Sequence, residues 1–207
     1  MTQFPLPLAW PADARDAEFL VSSSNADAVR LLERWAAWPV RTALLVGPPQ
    51  SGRSLLARIF AAQSGGQVID DALAQPEEAL FHAWNRAQAG MRPLLLVADA
   101  APPGWAVTLP DLRSRLAACP VAAIGAPDDA LVAALFERGF ERRRVPVRDD
   151  VVAWLAARAE RRHAAVMASV DTLADAALAQ GRRLSIPLAR ATLEAQATLT
   201  ERSDTRT

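Results

Sequence analysis

The segment 42-TALLVGPPQSGRSLLARIFAAQ-63 most constrains the fold of this chain. Thr42–Val46 is a short apolar run that reads as a buried strand, and Ser54–Gln63 reads as a helix. The eight residues 47-GPPQSGRS-54 between them fit the phosphate-loop spacing G-x-x-x-x-G-K-[ST] at every fixed position except Arg53, which stands where lysine belongs. Such a loop works because successive backbone N–H groups and the first turn of a helix converge on an anion. Gly47 and Gly52 let the backbone turn and approach it. Pro48, Pro49, Gln50 and Ser51 form the body of the loop, Arg53 carries the charge, Ser54 offers a hydroxyl to Mg²⁺, and Leu55 continues the first helical turn. Arginine keeps the lysine charge but is longer, planar and forked, so phosphate binding should survive the exchange better than catalysis. The competing reading is a glycine-bearing turn that keeps the shape without the ligand.

The rest of the chain places that motif in an α/β domain. Residues 1–20 hold Pro5, Pro7 and Pro11 and read as extended. Asn25 or Ser24 can cap a helix over about 26–38. After the loop helix, Gly65-Gly66 breaks the chain and Gln67–Asp70 is a brief strand. Pro76–Gly90 is a helix with Glu77 and Glu78 at its positive end, and Pro93–Ala98 is a third strand. A short helix over Asp111–Ala118 and a fourth strand, Val121–Ile124, follow. Strands alternating with helices indicate a parallel, doubly wound sheet, here of about four strands. From Asp128 the pattern becomes helical: Asp128–Arg143, Arg148–Arg161, His163–Ala179 and Pro187 to about Thr200. The only strand candidate among these is a brief one at Leu184–Ile186. The expected organisation is an N-terminal arm (1–20), an α/β domain (21–126), a small helical domain (127–200) and a flexible tail (201–207).

A phosphate loop needs a second part, an apolar strand ending in an acid that holds Mg²⁺. Two places qualify, 68-VIDD-71 and 94-LLLVAD-99. The second is the more apolar strand, but composition does not decide between Asp70 and Asp99.

Composition narrows the function classes. Lys+Arg and Asp+Glu are both 23, and a net charge of zero argues against a bulk electrostatic nucleic-acid binder. The one cysteine, Cys119, excludes an internal disulfide and suits a reducing cytosol. No signal peptide is apparent at the N-terminus and no stretch approaches the ~20 apolar residues of a membrane span, so a soluble cytoplasmic protein is expected. The basic run 141-ERRR-144 and the pair Arg161-Arg162 read as solvated helix faces; Trp84 and Trp105 read as packing residues.

The order of motifs resembles the Hda family, DnaA-related AAA+ proteins of bacterial replication control. Four segments carry the resemblance: 3-QFPLPL-8, GPPQSGRS, the run from 78-EALFHAW to LPDLRSRLAA-118, and 182-RRLSIPLARATL-193. It implies a P-loop AAA+ core followed by a helical lid. It assigns the metal-side role to VIDD, with Asp70 toward Mg²⁺, and makes LLLVAD the sensor 1 strand with Asp99 at its tip. It places an arginine finger at Arg115 in 109-LPDLRSRL-116, reaching a nucleotide on a partner subunit. It reads Gln3, Phe4, Pro5, Leu6, Pro7 and Leu8 as a peptide for the β sliding clamp of DNA polymerase III; bottom-up, these residues offer an amide and apolar anchors on a stiff extended chain.

The resemblance therefore implies a regulator that binds ADP or ATP with Mg²⁺, docks on the clamp and promotes ATP hydrolysis on DnaA. Little ATPase activity of its own is implied, no sequence-specific DNA binding, and self-association is open. The chain departs from the family in two places. Only 15 residues separate Ser54 from Asp70, where family members carry a further strand and helix. The sensor 2 arginine position falls on Ala164, with Arg161 or Arg162 as the nearest substitutes. Two other readings remain: a paralogue that keeps the clamp peptide but binds no nucleotide, and a small AAA+ ATPase of helicase-loader type.

Overall fold

A computed structural model of the chain describes residues 19–204, with side chains described through residue 196. It divides into two units, Met1–Ala126 and Pro127–Thr207. The clamp-like peptide Gln3–Leu8 lies outside the described residues.

The first unit is built on four parallel strands: β1 (Thr42–Val46), β2 (Gln67–Ile69), β3 (Leu94–Ala98) and β4 (Val121–Ala123), in the order β2-β3-β1-β4. β1 and β3 are buried along their whole length, which is why both read as continuous apolar runs rather than alternating ones. Their residues still alternate between two cores. Ala43, Leu45, Leu95 and Val97 meet α1 (Ala26–Glu33) and α2 (Arg53–Ser64) on one face. Leu44, Val46, Leu94, Leu96 and Ala98 meet α3 (Glu77–Gly90) and α4 (Pro110–Ala117) on the other. This is the expected doubly wound sandwich, and β2 forms one of its edges.

Several element ends differ from the sequence reading. α1 stops at Glu33 and a 3-10 turn covers Trp35–Ala37, because Trp38 folds back: its Nε1 donates to the Leu31 carbonyl at 2.9 Å and its ring stacks on Phe60. Asn25 precedes α1 but does not cap it. Its Oδ1 accepts from the Ser22 N–H and its Nδ2 donates to the Leu20 carbonyl, so a buried amide ties down the entering loop instead.

The second unit holds α5 (Asp129–Arg142), α6 (Asp149–Ala156), α7 (His163–Gln180) and α8 (Ile186–Asp204). Phe136, Phe140, Val166, Val170 and Leu173 are at the centre of its core. Gly139 lets α5 and α7 approach: a Cβ there would lie 2.7 Å from Val170 Cγ1. Asp128 caps α5 by accepting from the Leu131 N–H at 2.8 Å. α6 ends at Ala156, short of the expected Arg161, once its run of core residues Val151, Val152, Leu155 and Ala156 is spent. Leu184 is buried in the helical core and Ile186 begins α8, so the brief strand suggested there does not form; among the described residues of this unit no strand stands beside it. α8 runs on to Asp204, past the expected end near Thr200.

Candidate functional site

Gly47 follows directly from β1 and is buried. A Cβ on it would meet Ile124 Cβ and carbonyl at 3.0 Å, so any side chain would crowd the space between the end of β1 and the chain leaving β4. Pro48, Pro49 and Gln50 arch outward and are exposed, with Gln50 at φ 60. Ser51 turns back inside; its N–H donates to the Pro48 carbonyl, and its Oγ is buried with no hydrogen-bond partner. Gly52 stands at the start of α2 with φ 87, a left-handed conformation that favours glycine. A Cβ there would also sit 3.0 Å from the Phe19 ring, so Phe19 packs on the outside of the loop. Phe19 carried no motif and was not anticipated; its apolar character beside the polar SSSN turn was the one available signal.

This arrangement fits a phosphate group. The loop leaves an orphaned buried hydroxyl on Ser51, and a side chain on Gly47 would crowd it at 3.2 Å. α2 adds the first N–H groups of a helix, which have no intrahelical acceptors. Ser54 is exposed at the start of α2 and Leu55 is half-buried behind it.

Arg53 does not hang free in the loop. Its Nη2 lies 2.6 Å from Asp99 Oδ1, and its Nη1 donates to the Ala98 carbonyl. The tip of β3 thus holds the cation of the loop. The reason is topological, since β3 is the strand next to β1 and Ala98 is in register with Val46. All 23 basic residues of the chain are arginine, so Arg53 follows the usage of the whole sequence and is not a substitution confined to the loop.

Asp70 follows β2, which is separated from β1 by β3, so it stands about two strand spacings, roughly 10 Å, across the sheet from the loop strand. Ile69 is in register with Leu96, so β2 ends two residues short of Ala98. Asp70 is exposed and accepts from the Asp71 N–H; Asp71 has φ 53. Of the two candidate acids, then, Asp99 adjoins the loop and Asp70 lies at the sheet edge.

Arg115 is half-buried on α4. Its guanidinium lies 4.2 Å from the Phe81 ring centroid and 4.5 Å from that of Trp84, and it donates to Asn85 Oδ1. Phe81, Trp84 and Asn85 all belong to α3, and the 81/84/85 spacing puts them on one helix face. Arg113, two residues earlier, is exposed. The entry to α4 is fixed by Glu77, whose carboxylate accepts from the Thr108 N–H at 2.8 Å, the Thr108 hydroxyl at 2.8 Å and the Leu109 N–H at 2.6 Å. The Thr108 N–H first, and then that of Leu109, holds this carboxyl below its ordinary value. Glu77 was read as a helix-end charge; its actual work is to join the first turn of α3 to that of α4, a contact across 32 residues that no local pattern announces.

Arg161 is exposed in the helical unit and pairs with Asp129 at 2.6 Å. Cys119 is buried, and burial pushes its thiol up to about 11, so it is no nucleophile at neutral pH. Trp105 is buried among core residues. Among the described residues no group of His, Cys, Asp and Glu could by itself hold a metal ion, and no helix is long and apolar enough to cross a membrane.

Residues 128–193 match the family described as Hda, lid domain. An uncharacterized protein of Haemophilus influenzae is 32% identical over 120 residues, which is 55% of this chain and 50% of that one. The chain thus spans about half the length of that curated relative. Among solved structures, domain III of the Thermotoga maritima replication initiation protein DnaA aligns with a TM-score of 0.73 over 89% of this chain and 97% of that one, at 15% identity. The T. maritima RuvB Holliday junction branch migration motor aligns with a TM-score of 0.64 over 86% and 70%, at 18% identity. AMPPCP-bound DnaA from Aquifex aeolicus aligns with a TM-score of 0.59 over 78% and 65%, at 13% identity. At these identities the three structures establish the fold.

Proposed function

We propose that the chain is an Hda-like, DnaA-related AAA+ protein that restrains replication initiation by promoting ATP hydrolysis on DnaA; the Hda lid match at 128–193 and the fold shared with DnaA domain III support this. In this reading it docks on the sliding clamp through Gln3–Leu8, holds an adenine nucleotide, and presents Arg115 to ATP bound by DnaA. The observation that carries the reading is the Hda lid match, in one chain with the LPDLRSRL segment whose Arg115 the family resemblance reads as a finger.

The nucleotide, ADP or ATP, would take its phosphates in the loop Gly47–Leu55. The N–H groups at the start of α2 would face the anion, with Ser54 and Asp70 on the Mg²⁺ side. When bound, Mg²⁺ would offset phosphate charge. Arg53 would reach the phosphates only after leaving Asp99, and Asp99 would then be free to meet ligand or water. Arg161 is the candidate lid arginine. On the partner, Arg115 would place a positive charge where negative charge builds on the transferring phosphoryl group. Hydrolysis belongs to DnaA in this scheme and this chain turns over little ATP itself, which separates it from a helicase-loader ATPase.

Hydrolysis by purified ATP-bound DnaA, with DNA-loaded clamp present, tests the proposal. The chain should accelerate it, Arg115→Ala should not, and deletion of residues 1–8 should abolish both clamp retention and acceleration. An Arg115→Ala protein as effective as the parent would overturn the finger role.

A second reading has its own support. Arg53 is neutralised by Asp99, and the sheet is one strand shorter than the family pattern on the Asp70 side. Both suit a protein that keeps the clamp peptide but binds no nucleotide. Calorimetry with ADP and Mg²⁺ separates the two: a saturable heat lost in Ser54→Ala supports the first, and no heat at millimolar ADP supports the second.

A further inference from the structure

The helical unit commits most of its arginines to acids and rings. Arg143 pairs with Asp171, Arg148 with Asp150, Arg161 with Asp129 and Arg162 with Glu160. Arg158 and Arg190 lie against Trp154, and Arg138 and Arg142 are also engaged. Among the described residues of this unit, Arg144, Arg182 and Arg183 remain with no side-chain partner, and all three line one cavity of about 250 Å³.

The cavity forms where two helices end. α5 closes with Arg144 at φ 57 and the Val145 N–H donating to the Phe140 carbonyl at 3.0 Å. α7 closes on Gly181 at φ 59, with the Arg182 N–H donating to the Ala177 carbonyl at 3.1 Å. These left-handed closures turn both exits toward the same hollow. Between the arginines lie Val145, Ala177 and Leu178; Val145 is buried, whereas Leu178 is 61% exposed. Among the described residues no carboxylate lines the cavity. Positive charge near a helix C-terminus is favourable in itself. That preference does not explain three unpaired guanidiniums around an exposed leucine in a unit whose other described arginines have partners.

We propose that this cavity is a docking site for an acidic peptide segment of a partner protein, one that carries an apolar side chain among its carboxylates. Guanidinium forks suit carboxylates in paired geometry, and the apolar side chain covers the exposed Leu178. A nucleic-acid strand fits less well. Among the described residues no aromatic ring lines the cavity for a base to stack on, and the chain as a whole carries no net charge.

Fluorescence anisotropy on the full chain tests this. The probes are a labelled peptide of aspartates and glutamates around one central leucine, the same peptide with serine for the leucine, and a short single-stranded oligothymidylate. The leucine peptide should bind best, and the serine peptide should bind about threefold or more weakly. The double change Arg182→Ala with Arg183→Ala should weaken the leucine peptide about tenfold or more, Leu178→Ser should weaken it less, and Arg86→Ala on α3 should leave it unchanged. Melting curves accompany each variant; if the double variant melts early, Arg183→Ala alone gives the decisive comparison. Undiminished peptide binding in a folded arginine variant overturns the proposal. So does oligothymidylate binding more tightly than the peptide and depending on the same arginines, which would make the ligand a nucleic acid.

Discussion

Arg53, in the loop after β1, and Asp99, at the tip of β3, form an ion pair at 2.6 Å, with Arg53 only 16% exposed and Asp99 65% exposed. The loop's one cation and the tip acid of the adjacent strand are therefore each other's first partners, and in the proposed nucleotide site a phosphate would have to compete with a carboxylate for the guanidinium.

That competition has a measurable sign. Asp99→Asn removes the competing charge and should tighten ADP–Mg²⁺ binding, by a factor of about 2–5 if the pair is worth what partly exposed pairs usually are. Arg53→Ala should weaken it. Titration calorimetry at low and high salt reads both. Weaker binding in Asp99→Asn would mean that Asp99 contacts the ligand side directly.

A related restraint acts on Arg115, held over Phe81 and Trp84 and bonded to Asn85. In the proposed finger role, an arginine so held would have to leave α3 to reach a partner's nucleotide. Asn85→Ala should cost about 1 kcal/mol of stability while maintaining or raising acceleration of DnaA hydrolysis. Melting curves and the hydrolysis assay check the two halves, and loss of acceleration with an intact fold would count against the restraint.

In the helical unit, Gly139→Ala forces a Cβ against Val170. Overpacking of this kind costs about 1–3 kcal/mol, and the closest approach of α5 and α7 leaves little room to relax. Denaturant unfolding should show the loss, and adding Val170→Ala should recover part of it.

His163 is buried at the start of α7 with neither ring nitrogen hydrogen-bonded, and burial depresses its pKa. The folded state resists protonation, so its contribution to stability is complete above the unfolded value of about 6.5. As pH falls below that value, the unfolded chain takes up a proton that the folded chain does not. Stability then declines until the folded-state pKa is passed. His163→Gln should flatten the pH dependence of unfolding across that window.

Much of the architecture was legible in local pattern. The strands β1 and β3 announce themselves as apolar runs, Pro76 and Pro110 mark the starts of α3 and α4, and the glycines of the loop mark where backbone must pass close to Ile124 and Phe19. Less legible was anything made by distant residues. Asn25 looked like a helix cap and instead braces the loop before it, because its buried amide meets nearer backbone partners at Ser22 and Leu20. Glu77 looked like a charge at a helix end and is the anchor of α4.

The two acids show the division most clearly. By itself the sequence determined that a loop with phosphate-loop spacing lies between a strand and a helix, and that Asp70 and Asp99 each end a strand. Spacing and hydrophobic period are local properties and survive in one dimension. Only the tertiary structure decided which acid stands beside the loop. Strand order is set by how the two faces of the sheet bury their apolar residues together, and that placed β3 next to β1 and left β2 at the edge. Asp99 thereby became the partner of Arg53, a relation between residues 46 positions apart.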